Sequence, residues 1–169
     1  AKAPQISWVN DPTRTDRILD WFDANPMDTL KLFSDSTSEA KEEGRSVQTG
    51  KSSKTVYHKA IATAVFSVDK DTAIRADFAV HPVRYQKSLA SYLGRLKAQY
   101  RDFNTQLGKT GAGLDYKDIH EGSPLHNLVQ SLMIDFPWWD RFHGHWRKLP
   151  SFNPVTVNAD STLDLSSEA

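Results

Sequence analysis

HPVRYQKSLASYLGRLKAQYRDFNTQLGKTGAG, residues 81–113, carries the clearest periodicity in the chain. Tyr85, Leu89, Tyr92, Leu96, Tyr100, Phe103 and Leu107 follow one another at intervals of 4, 3, 4, 4, 3 and 4. That spacing keeps every one of them on a single side of an α-helix about six turns long. Pro82 suits the first helical turn, where no backbone N–H is required, and Gly108 suits the cap. Gly94 stands mid-span and costs about 1 kcal/mol relative to Ala unless close packing or backbone approach needs it.

Helical patterning extends to both sides. TRTDRILDWFDANP begins with a Thr13-x-x-Asp16 arrangement like a capping box, puts Ile18, Leu19 and Phe22 on one face, and stops at Pro26. A second short helix is expected over Met27–Phe33, started by Asp28. Residues 34–53, rich in Ser, Gly and charge, read as a mobile loop. Tyr57, Ile61, Ala64 and Val65 then describe a helix of about three turns. Beyond the long helix, GKTGAG reads as a flexible turn. SPLHNLVQSLMI is an amphipathic helix with Ser123 as N-cap and Pro124 in first position. WWDRFHGHWRKL, opened by Pro137 and closed by Pro150, places Trp139, Phe142 and Trp146 on one face. The last residues, 155–169, form a polar acidic tail.

Composition removes several classes of function. The 169 residues include no cysteine, so there is no disulfide framework, thiol nucleophile or thiolate zinc site, and an intracellular setting is expected. No run of 18 apolar residues without a charge occurs, which argues against a membrane-spanning helix. Lys and Arg number 21 and so do Asp and Glu, a balance that by itself disfavours phosphate binding. The balance is segmented, however. Residues 11–43 hold nine acids against four bases, whereas 84–109 holds six bases against Asp102 alone.

Catalytic and metal chemistry find little footing. His143 and His145 lie two apart, which on a helix points them roughly 200° from each other, so no metal site is expected. Both are expected to flank the Trp-rich face as partly exposed residues. Gly108-Lys109-Thr110 lacks the upstream glycine and the preceding strand of a phosphate loop. The acid pairs Asp20/Asp23 and Glu42/Glu43 read as solvated charge, and neither an enzyme nor a cofactor is indicated. What remains is a set of polar and basic side chains on the long helix. Arg84, Lys87, Ser91 and Arg95, spaced 3, 4 and 4, share a face beside the apolar stripe, with Gln86 adjacent. Such side chains reach base edges and phosphates, and a helix fits the major groove.

The order of elements resembles Myb/SANT-like domains of the trihelix type, found in transposon-associated and transcription-factor proteins of plants and fungi. The matching pieces are Trp8 with Ile18-Leu19-Asp20-Trp21-Phe22, Tyr57 through Ala62 with Val65-Phe66, and Leu89 through Tyr100. The Leu107–Asp115 turn and Phe136-Pro137-Trp138-Trp139 with Leu149-Pro150 follow. Tyr57 stands where the family's second helix commonly opens with Trp. The resemblance covers about residues 6–154, read as a single all-α domain: a tri-helical helix-turn-helix core with a long third helix and additional C-terminal helices. It implies a nuclear protein that binds double-stranded DNA. By position, Arg84, Gln86, Lys87, Ser91 and Arg95 would face DNA, and Lys54, Lys59 and Arg101 would contact its backbone. Trp8, Trp21, Tyr57, Leu89, Leu96 and Tyr100 would form the core. The alternative is a helical protein-interaction module, docking through the long helix or through Trp138, Trp139 and Trp146.

Overall fold

The computed structural model describes residues 2–34 and 47–153, without the side chains of 47–53 and Thr110. The described residues are helical, with no strand among them. Helix α1 spans Thr13–Ala24, α2 Pro26–Ser34, α3 Val47–Phe66, α4 Thr72–Val80 and α5 Pro82–Gly113. A 3-10 turn at Tyr116–Asp118 precedes α6, Pro124–Met133, and α7, Trp139–Trp146. Most of the loop expected over 34–53, and the acidic tail, lie outside the described residues. α3 nevertheless begins at Val47, before the expected end of that loop. The packing divides the chain into two compact units, Ala1–Gly94 and Arg95–Ala169, where the sequence reading treats 6–154 as one domain.

In the first unit, α1, α3 and the first half of α5 converge on an aromatic centre. Trp8, from the segment before α1, stacks on Tyr92 at 4.2 Å and meets Phe66 edge-on at 5.4 Å. Its indole N–H donates to Ser88, and the hydroxyls of Thr15 and Tyr92 bond at 2.6 Å. The apolar side of α3 closes the centre with Ile61, Ala62, Val65 and Phe66, all fully buried. Trp8 and Leu89 are core as expected, but Trp21 and Tyr57 are only half-buried. Phe22, beside Trp21, lies nearer the centre of the Ile18/Leu19 face and takes the interior place. The start of α1 also differs from a capping box. Asp11, not Thr13, supplies the acceptor, taking the backbone N–H and the hydroxyl of Thr13.

α4 has no counterpart in the sequence reading, because only Ile74 and Phe78 mark its apolar side. Its start is nonetheless conventional: the Asp71 carboxylate accepts from the N–H of Ala73 at 2.9 Å.

The second unit is built on the rest of α5. Phe103 stacks on Trp139 at 4.8 Å, Trp139 on His143 at 4.2 Å, and Phe142 on Trp146 at 4.5 Å. Leu96 and Tyr100 are buried here, as the stripe requires. At Gly108 the backbone takes φ 76° and ψ −175°, a conformation reserved for glycine, and the regular helix breaks where a cap was expected. A further helical turn then runs to Gly113 in place of the flexible loop. Gly111 lets α6 approach: a Cβ built there would lie 2.7 Å from Leu125 Cδ1 and 3.0 Å from Leu107 Cβ. Ser123 caps α6 by accepting from the N–H of His126, as its place before Pro124 suggests.

Candidate nucleic-acid interface

A single residue, His81, separates α4 from α5, so the first turn of the long helix is set by an elbow. One carboxylate holds that elbow. Asp77 Oδ2 accepts from Arg84 Nη1 at 2.8 Å and from the Tyr85 hydroxyl at 2.6 Å. Arg84 also donates to the carbonyl of Pro4, and its guanidinium lies 5.3 Å from the Tyr85 ring. Burial, then the bond to Asp77 and the charge of that carboxylate, push the Tyr85 hydroxyl up to about 12. Arg84 is thus engaged inside the unit although 37% of its side chain remains exposed.

The other candidates separate into distinct settings. On the first half of α5, Lys87, Ser91 and Gly94 are exposed at spacings of 4 and 3, and Gln86 is half-buried. A Cβ built on Gly94 meets no atom within 4 Å outside its own helix backbone, so no packing among the described residues calls for glycine there. On α3, Lys59 is exposed and Lys54 half-buried; burial first, then the Lys54 charge, lower the pKa of neighbouring His58. Arg95, next along α5, is exposed. Farther along, Arg101 donates to the carbonyl of Ser151 at 3.1 Å, and Lys97 lies 4.4 Å over the Phe152 ring. Val80 and Val83, at the end of α4 and the start of α5, are 70% and 56% exposed. Sequence reasoning passed over Val83. Its place two residues before Tyr85, hence on the far side of the helix from the stripe, was the signal for it.

Two acids of the first unit, Asp69 and Asp11, are held internally. Asp69 is fully buried and takes a two-pronged bond from Arg14, at 2.7 and 3.0 Å, with Arg17 at 3.1 Å. Burial by itself would raise its pKa, but the bond from Arg14 and the neighbouring N–H of Asp71 outweigh this and hold it low. Asp11 likewise stays ionised against burial, through Thr13 and Lys70. No Asp or Glu occurs in α5 before Asp102.

The Trp-rich end is interior. Trp139 and Trp146 are fully buried in the second unit, and Trp138 is half-buried, so the first two present no face to a partner. His143 is also fully buried, contrary to the expected partial exposure. Its Nε2 donates to the carbonyl of Leu114, and its Nδ1 accepts from the Tyr100 hydroxyl at 2.8 Å. Both ring nitrogens are therefore in use, and no group of three or more metal-binding side chains occurs among the described residues. No helix among those residues is long and apolar enough to cross a membrane. Compared with known protein families, with curated proteins and with solved structures, the chain has no match in any of the three.

Proposed function

We propose that the chain binds double-stranded DNA, as a transcription regulator or transposon-derived accessory factor, with the first half of α5 in the major groove. On this reading α1, α3 and α5 form the tri-helical Myb/SANT-like core. The observation that supports it most is electrostatic. Between Pro82 and Gly94 the long helix has no acid, and it exposes Lys87, Ser91 and Gly94 along one side. Asp11, Asp69 and Asp77 of the same unit are engaged by Thr13, Arg14, Arg17 and Arg84. Overall neutrality therefore does not describe this segment of the helix, whose own charged side chains are all basic. A glycine on that face, with no packing among the described residues to explain it, permits close approach of a partner's backbone. Lys59 on α3 would contact a phosphate, whereas Arg84 positions the helix without touching DNA.

The test is a titration of the full chain with duplex DNA at ~50 mM and ~200 mM salt. A groove binder neutralising several phosphates loses affinity steeply between the two. Absence of binding at the lower salt would overturn the reading.

A further inference from the structure

Resting on that placement of α5, we infer that Val83 reads the C5-methyl group of a thymine. A lone exposed valine is ordinary on a protein surface. Val83 differs in its setting. It lies in the first turn of α5, four residues before Lys87 and eight before Ser91, so the three share one exposed side of an acid-free helical segment. That first turn is held by the bonds from Arg84 and Tyr85 to Asp77, so the valine is presented by a fixed backbone. Two later cations of the helix, Lys97 and Arg101, lie against Phe152 and the carbonyl of Ser151 within the second unit, whereas Lys87 is exposed on the acid-free first half.

Among the base edges of the major groove, the thymine methyl is the one apolar group, and small apolar side chains are what it packs against. Lys87, one turn on, is placed for a guanine edge or a phosphate. The surface thus fits a duplex with thymine at a fixed position, and the valine supplies a preference that the lysine cannot.

The probe is a pool of duplexes with a randomised core, selected by the full chain at ~50 mM salt. The enriched sequence is then remade with uracil for thymine, which removes only the methyl group. Wild type should bind the uracil duplex about fourfold more weakly, the worth of one buried carbon. Val83→Ser, with unchanged helicity, should bind both duplexes equally. Equal affinity of wild type for the two duplexes, with steep salt dependence retained, overturns the role of Val83 and leaves DNA binding standing. Continued discrimination by Val83→Ser overturns that role in the same way. Failure to select any duplex overturns both readings together.

Discussion

Arg84 and Asp77 are joined at 2.8 Å across the elbow between α4 and α5, and the same carboxylate oxygen takes the hydroxyl of Tyr85. A cation that helical spacing aligns with Lys87 and Ser91 is therefore part of the internal framework. Two neighbouring basic residues come to have different work: one orients the helix, the other faces out.

Arg84→Ala should destabilise the first unit by about 1 to 2 kcal/mol, because a partly buried carboxylate keeps only the Tyr85 donor and the Pro4 carbonyl loses the Arg84 one. Lys87→Ala should leave stability within about 0.5 kcal/mol of wild type. If it contacts a phosphate, this change also lowers the salt slope of DNA binding by about one. Denaturant unfolding of the two variants, alongside DNA titration, separates these effects. Equal stability loss in both would contradict the division of roles.

Asp69→Ala should be far more damaging. It strips the two-pronged partner from buried Arg14 and removes the contact to Arg17, leaving Arg14 only the longer ion pair to Asp11 and its bond to the Ser7 carbonyl. A loss of about 3 to 5 kcal/mol is expected. Chemical denaturation with near-UV circular dichroism would detect it, and a loss below about 1 kcal/mol would show the network to be dispensable.

Acid should weaken the second unit before it reaches the carboxylates. Burial, the largest influence, lowers His143 to about 4 from an ordinary 6.5. Since Leu114 offers only an acceptor, the neutral ring keeps its proton on Nε2 and accepts from Tyr100 on Nδ1. Below pH 6.5 the unfolded chain takes up a proton that the folded chain refuses, so stability falls as pH drops from about 6.5 to 4. The total is on the order of 3 kcal/mol. Thermal unfolding at intervals across that window should show the decline, and His143→Phe should flatten it. An unchanged slope in the variant would assign the effect elsewhere.

Two glycines of α5 should respond oppositely to alanine. Gly94→Ala meets no atom within 4 Å and should stabilise by about 1 kcal/mol through helix propensity. Gly111→Ala drives its methyl against Leu107 and Leu125 and should destabilise by about 1 to 3 kcal/mol. Unfolding midpoints decide both, and the same sign for the two would refute the packing argument.

Much of the helical framework was legible because periodicity and punctuation act locally. The Tyr85-to-Leu107 stripe, Gly108 at its break, Ser123 before Pro124, and the Trp139/Phe142/Trp146 face all follow from the spacing of neighbours along one helix. α4 escaped notice because two large apolar residues, Ile74 and Phe78, make too weak a pattern on so short a helix. Trp21 and Tyr57 were misjudged because size suggests burial, whereas the angular position about the helix axis sets it.

The sequence by itself determined which segments coil and which side of each turns inward, since a helical repeat of about 3.6 residues needs only the residues within it. Tertiary structure alone decided which polar groups are committed inside. Asp77 reaches Arg84 across an elbow, Asp69 meets Arg14 from 55 positions away, and His143 sits between Tyr100 and Leu114. A charge's partner is set by the approach of separate segments in space. Spacing could therefore put Arg84 and Lys87 on one basic face, and only the fold could bond one of them to Asp77 and Pro4.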